Sequence, residues 1–276
     1  MVLAAVPLVV LAATLLIAFS GCSFDPGSAG LTFDQAVLAE ASVVSFWHLG
    51  EPGGPVAADS KDGHNGTYLN GPLPDDPADF SAGAPGTLTF DQSSLISNTP
   101  AKRSIFVNGG RVEVPFTPEL NTATFTVLAW VRTAWTAGDE PAYRCVLDSR
   151  DQLASGEKQG YAIFANPTSH WEAWVGDGTA SQYKIASTGA PISLGTTDYL
   201  VATCDGATLT LYVNGELRAS VATAFGPNAA RKLYIGEGAP MLPTPFFPFV
   251  GQIAEVAYFN TALDQQAVVD IGMGSA

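Results

Sequence analysis

The sequence predicts an all-β fold, a two-sheet antiparallel sandwich, on three observations. Short segments rich in β-branched and aromatic residues recur along the chain, the composition that suits a pleated, half-buried surface. Gly (28) and Pro (19) are plentiful, which favours turns over long helices. In YLVATCDGATLTLYVNGELRASV, 199–221, Leu209, Leu211 and Val213 alternate with Thr208, Thr210 and Tyr212, a period of two that marks a strand with one buried face. That strand lies between Asp205-Gly206 and Asn214-Gly215, dipeptides that accept the positive φ angles of two-residue type I′ turns. Three consecutive strands therefore form an antiparallel meander here. Many such strands at spacings of about ten residues pack as two sheets.

The elements follow in chain order. Residues 2–19, VLAAVPLVVLAATLLIAF, carry no charge and nearly reach the length that spans a bilayer. Ser20, Gly21 and Cys22 follow at once. An apolar run closed by small residues reads as an export signal, here over residues 1–21. The Cys after Ser-Gly resembles the lipobox of bacterial lipoproteins, in which that Cys, here Cys22, becomes the lipid-bearing N-terminus. The competing reading is an uncleaved membrane anchor. Either way the chain is expected to be exported and tethered, at a bacterial cell surface or facing the periplasm. Residues 22–42 form a Gly/Ser/Pro-containing tether and a short helix over TFDQAVLAEA, 32–41, and residues 43–276 form the sandwich domain.

Within that domain, strands are expected at RVEVP (111–115), FTVLAWVRT (125–133), GYAIFA (160–165), HWEAWVG (170–176), KLYIG (232–236) and QIAEVAYFN (252–260), with a closing helix over 262–271. Two stretches, 71–103 and 236–249, are long for connections in such a fold, and long loops are where ligand contacts gather. Cys145 and Cys204 are able to form one disulfide outside the cytoplasm and equally to remain two semi-buried thiols.

VVSFWHLGEPGG, AADSKDGHNGTY, RVEVP, FTVLAWVRT, YLVATCDGATLTLYVNGELRAS, LYIGEG and FVGQIAEVAYFNTALDQQ stand in one order over residues 34–271. Together they resemble the laminin G-like domains of bacteria, in the concanavalin A-like lectin and glucanase superfamily. The resemblance implies a jelly roll of two curved antiparallel sheets that meets ligands on its concave face or rim loops. It also implies that Trp47 and Leu49 enter the core from one face of the first strand. His48 is then exposed on the other face, and Glu51 opens a turn. Two positions depart from the pattern: Ala254 stands where Asp is frequent before the closing Glu255, and Asp198-Tyr199 replaces a Trp-His pair.

Composition narrows the function. The formal charge is −14, with only 12 Lys and Arg. Nucleic acid, which needs a basic surface, is excluded as a partner, and an anionic membrane surface repels the folded part. The superfamily includes glycoside hydrolases, whose retaining members need two carboxylates about 5 Å apart. In its laminarinase-like members these lie on one strand as E-x-D-x-E or E-x-D-x-x-E. No Glu in this chain has Asp two positions on, so no in-strand catalytic pair exists. There is no G-x-S-x-G elbow, and His48, His64 and His170 lack zinc-ligand spacing. DSKDGHNG, 59–66, offers Asp59, Asp62 and Asn65 as oxygen ligands for calcium. The same residues equally bond to their own backbone in a turn-rich loop. Sugar binding needs exposed aromatic faces with amides and acids nearby. Trp135, Tyr143, His170, Trp174 and Tyr183 are the candidates. Trp171 and Trp174 must face opposite sides of their strand, one inward and one outward, whereas Trp130 is assigned to packing. The expected function is non-catalytic recognition of a glycan or surface polymer, with calcium as a possible cofactor. A protein-binding adhesion or assembly module is the alternative, and a glycoside hydrolase or lyase lacking the usual motif comes third.

Overall fold

The structure, a computed structural model, describes residues 30–61, 63–70, 86–97, 99, 102–139, 142–238 and 247–274. The apolar N-terminal run, Cys22 and Asp62 lie outside the described residues. The described part opens with α1 (Phe33–Ala39). Its capping box explains where it starts: Gln35 N–H donates to the Thr32 hydroxyl, and Thr32 N–H donates to Gln35 Oε1, so two otherwise unpaired donors are satisfied.

The strands are β1 (Val43–Trp47), β2 (Val56–Ala57), β3 (Gly66–Leu69), β4 (Thr87–Gln92), β5 (Ser104–Asn108), β6 (Arg111–Val114), β7 (Phe125–Thr133), β8 (Arg144–Asp148), β9 (Asp151–Gln152), β10 (Lys158–Gln159), β11 (Tyr161–Ala165), β12 (Trp171–Val175), β13 (Lys184–Ser187), β14 (Thr197–Cys204), β15 (Thr208–Val213), β16 (Glu216–Ala222), β17 (Leu233–Ile235) and β18 (Val250–Phe259). The helix α2 (Gln265–Met273) closes the described fold.

One sheet runs β16-β15-β14-β7-β18-β5-β4, with β1 beside the far half of β18. The other runs β13-β12-β11-β8-β17-β6-β3-β2, and a two-stranded ladder, β10-β9, stands apart. Alternation divides each strand between two environments. Val127, Ala129, Leu200, Ala202, Leu209, Leu211 and Val213 of the first sheet meet Val112, Val114, Ile163, Trp171, Ala173 and Val175 of the second. On its outer face the first sheet presents Leu128, Tyr199, Val201 and Tyr212, which Phe33 and Val37 of α1 and Val268 and Ile271 of α2 cover. Among the described residues no helix covers the outer face of the second sheet, which carries a smaller cluster of Cys145, Ala162 and Phe164, with Tyr143, Trp174 and Phe247 against it.

The structure departs from the sequence reading in several places. β1 ends at Trp47, and Leu49 reaches the core through a left-handed backbone (φ 57°) rather than as a strand residue. The Asp205-Gly206 connection is not a two-residue turn. It spans residues 205–207, and the Asp205 carboxylate accepts the N–H groups of Ala207 and Thr208. The stretch 71–103, read as a loop, contains β4, whose TLTFDQ alternates in exposure and pairs with β5. Cys145 and Cys204 are both buried free thiols.

Candidate functional site

The uncovered face of the second sheet is built around β12. Trp171, Ala173 and Val175 point inward, so Glu172 and Trp174 point out. Trp174 meets Tyr143 edge-on at 5.6 Å between centroids, Phe164 at 5.4 Å and Tyr183 at 5.9 Å. Phe247 closes on Tyr143 and Phe164, 5.5 Å from each. Behind these rings lies the buried guanidinium of Arg150, 4.5 Å from the Phe164 centroid and 5.1 Å from those of Trp174 and Tyr183. Asp148 holds it, with Nη2 donating to Oδ2 at 2.7 Å and Nε to Oδ1 at 3.0 Å. A paired cation under aromatic rings fixes their positions as well as their electrostatics.

Polar groups border the rings. Glu172 Oε2 accepts the Trp174 indole N–H at 2.8 Å, and its Oε1 accepts from Asn166 Nδ2 at 2.7 Å and Ser187 Oγ at 3.2 Å. Asn166 Oδ1 in turn accepts the backbone N–H of His170 at 3.0 Å. The tip of the β11–β12 hairpin is thereby tied to the aromatic group. Burial and the nearby Glu172 carboxylate raise the Tyr143 pKa, which keeps its hydroxyl a neutral donor.

Of the five aromatic and imidazole candidates, the fold brings together Tyr143, Trp174 and Tyr183, with His170 linked through Asn166 and Glu172. Trp135 stands apart: it is 7% exposed, packs edge-on against Phe249 at 5.5 Å and lies under the Arg144 guanidinium at 4.9 Å. The sequence reading missed Phe164, Arg150, Glu172, Asn166 and Phe247. Phe164 and Glu172 had a local signal, Phe164 in its alternation with Ile163 in GYAIFA and Glu172 in its two-residue spacing from Trp174 in HWEAWVG.

A second arrangement joins residues far apart in sequence. A cleft of about 360 Å³ is lined by Asp34, His48, Glu51, Lys102, Arg103 and Glu255. Glu255 lies at a bulge in β18 with φ 52°, and its side chain is 2% exposed. Its Oε2 is 2.8 Å from His48 Nδ1, and its Oε1 accepts from Lys102 Nζ at 2.9 Å. Lys102 Nζ also donates to Asp34 Oδ1. His48, expected to be exposed, is therefore half-buried in an ion cluster. Ligand atoms of Asp34, His48 and Glu255 lie within 4.8 Å of one another. A metal ion there has to displace the Lys102 ammonium, which already balances both carboxylates.

The 59–66 loop is closed by its own polar groups. Asp59 Oδ1 accepts from Phe46 N and Lys61 N, and Oδ2 accepts from His64 N. Asn65 Oδ1 accepts from Asp59 N, and His64 O accepts the Trp47 indole N–H. Calcium takes six to eight oxygen ligands. As placed, Asp59 and Asn65 spend their oxygens on backbone donors and fit that ion poorly, while Asp62 is outside the described residues.

Two stacked antiparallel sheets, one sealed by helices and the other presenting aromatic rings, define a β-sandwich of the lectin-like class. The chain belongs to the concanavalin A-like lectin/glucanases superfamily, whose laminin G family model matches residues 106–269, more than half of the sequence. Comparison with curated protein sequences finds no match. Among solved structures, the chain is similar to domain 4 of AbnA, a GH43 extracellular arabinanase from Geobacillus stearothermophilus, solved in complex with arabinotriose. The TM-score is 0.56 at 16% identity, over 84% of this chain and 98% of that one. It is also similar to the receptor binding domain of a botulinum neurotoxin C/D mosaic serotype, with a TM-score of 0.57 at 12% identity, over 84% of this chain and 51% of that one. A sialidase mutant of Trypanosoma rangeli displaying trans-sialidase activity gives 0.54 at 15% identity over 84% of this chain. The chain spans about a third of that sialidase, 33%. At these identities the likeness is one of fold.

Proposed function

We propose that this domain recognises carbohydrate on the outer face of its second sheet and does not cleave it. The observation that carries the reading is the half-exposed group of Tyr143, Trp174 and Tyr183 beside the Glu172–Asn166–His170 polar arm. Aromatic faces pack against the apolar C–H face of a sugar ring, while carboxylate and amide groups take its hydroxyls. Residues 1–22 export and tether the module in the same reading, where extracellular glycans are met. The arabinotriose complex of AbnA domain 4 makes an oligosaccharide ligand compatible with this architecture. Calorimetric titration with a panel of neutral oligosaccharides tests the proposal. A binder should be found, and Trp174→Ala should weaken it by about tenfold or more, the scale of losing one well-packed aromatic anchor, in a chain that still folds with a midpoint lowered by the loss of the indole donor to Glu172. Binding that is indifferent to Trp174→Ala and Tyr143→Ala refutes the site, binding only to a protein partner replaces the ligand class, and release of reducing ends by the purified chain refutes the non-catalytic reading.

A further inference from the structure

Trp135 and Arg144 meet at the end of the second sheet, beside the tip of the β11–β12 hairpin, where Arg144 pairs with Ala165. A cavity of about 90 Å³ opens there, lined by both and by Thr136, Asp139, Asn166 and Ser169. The Arg144 guanidinium lies over the Trp135 indole, 4.9 Å from the ring centroid, and Trp135 packs in turn against Phe249. The cation is thereby held in place before any ligand arrives.

Arg144 is the exception among the arginines. Arg103, Arg111, Arg150, Arg218 and Arg231 each meet a carboxylate, and Arg132 donates to Thr197 Oγ1 and Gln252 Oε1. Among the described residues the Arg144 guanidinium has no ion pair and no hydrogen bond, and its Nε is buried. Burial lowers its pKa, with Asp139 opposing. Asp139 is exposed, and its Oδ2 accepts the Thr136 backbone N–H at 2.6 Å, so solvent screens most of its charge.

The cavity therefore lacks an acceptor. The natural complement of a guanidinium is a carboxylate, which takes two parallel N–H bonds. Because Nε is covered, an incoming carboxylate meets the two terminal nitrogens end-on. A cavity of about 150 Å³ takes up benzene, so this smaller one admits a carboxylate and leaves a sugar ring outside. The neighbouring aromatic face supplies a place for that ring. Asn166 lines the cavity and also donates to Glu172 beside Trp174, and Tyr143 directly precedes Arg144. The net charge of −14 opposes anions only within a screening length of about 8 Å in physiological salt, so contact with Arg144 decides.

We propose that the Trp135–Arg144 cavity takes the carboxylate of an acidic oligosaccharide whose rings lie on Tyr143 and Trp174. The inference rests on the carbohydrate reading of the outer face and narrows its preferred ligand to sugars that carry a carboxylate.

The full chain is titrated, by calorimetry and by its indole N–H resonances, with trimers of galacturonic, glucuronic and mannuronic acid. Each is used as the free acid and as the methyl ester, which keeps the sugar and loses the charge. At least one acid should bind about tenfold or more tighter than its ester, the scale of a charged hydrogen bond, by a margin that shrinks as salt is added. The Trp135 resonance should shift with that acid and stay in place with the ester. Arg144→Gln should bring acid and ester to one affinity, and Arg144→Lys, which keeps the charge without the planar fork, should retain part of the difference. Equal affinity of acid and ester, no binding by any of the acids, or an acid preference that survives Arg144→Gln overturns the proposal. The two readings fail separately. Esters that bind through Trp174 with no acid advantage leave the outer-face site standing and remove this subsite. Acids that bind through Arg144 undiminished by Trp174→Ala keep the carboxylate subsite and remove the outer face.

Discussion

At the scale of single residues, two tryptophans three positions apart do opposite work. Trp171 is buried between the sheets and donates to Asp198 Oδ2 at 2.9 Å, whereas Trp174 is half-exposed on the outer face. Trp171→Phe leaves that buried acceptor short of a partner and should cost about 1–3 kcal/mol in urea unfolding, with sugar binding intact. Trp174→Ala should weaken sugar binding and also lower the unfolding midpoint, because buried Glu172 loses its indole donor; it is the loss of binding that separates the two variants. Lys102 gives a second prediction. Lys102→Met removes the ammonium from a nearly fully buried Glu255, and breaking such a pair costs several kcal/mol when no partner remains. Because His48 stays beside Glu255, we expect a loss of roughly 2–3 kcal/mol, measured by denaturant midpoint at constant slope. The opposite orientations of Trp171 and Trp174 were legible from period two alone. Which of them faces inward was not, because that depends on the partner sheet. The His48–Glu255 contact was invisible for a similar reason: the two are brought together by β1 pairing with β18 next to a bulge, a long-range event with no local signature.

At the scale of elements, the β14–β15–β16 meander was the most legible part, since its alternation and its Asn-Gly turn are local. In the structure Asn214 and Gly215 have φ of 55° and 79°. A Cβ at Gly215 would meet only ordinary contacts, the nearest at 3.4 Å from Val269 Cγ2. Gly215→Ala should therefore cost only the left-handed backbone strain, about 1–2 kcal/mol, seen as a lower unfolding midpoint with unchanged binding. β4 shows the limit of pattern reading. TLTFDQ has the right alternation, but it follows a Pro- and Asp-rich stretch whose turn signals mask it, and its partner β5 becomes apparent only from the pairing. Likewise the Asp205-Gly206 pair has the composition of a two-residue turn. Its carboxylate instead organises a longer connection by accepting two N–H groups, a competition between side-chain and backbone bonding that composition does not resolve.

At the scale of the whole molecule, the sandwich places all eight tyrosines of the chain in environments that raise their pKa, with burial the largest cause each time. Tyr234 and Tyr258 are each pushed up to about 12. Above pH 10, the ordinary tyrosine value, the unfolded chain releases these protons and the native chain keeps them. The unfolded state then binds fewer protons, so stability falls as pH rises, through the window from about 10 to 12 for Tyr234 and Tyr258. Tyrosinate absorbance should stay low past the ordinary value and rise steeply with alkaline unfolding. Independent titration of most tyrosines near 10 would contradict the burial pattern. Two-sheet architecture was legible from strand composition and spacing, while strand order was not, because β18 takes its place between β7 and β5 through contacts spanning most of the chain.

Among the described residues the same architecture leaves one sheet face without helices, and the proposed sugar site depends on that asymmetry. The five tryptophans offer a direct probe of it, because each indole N–H gives its own resonance. On titration with a binding oligosaccharide, the Trp174 indole signal should move most, while those of Trp47, Trp130 and Trp171 stay in place. Movement of Trp130 or Trp171 with Trp174 unmoved, or no indole response to a sugar that binds, would contradict recognition at the outer face of the second sheet.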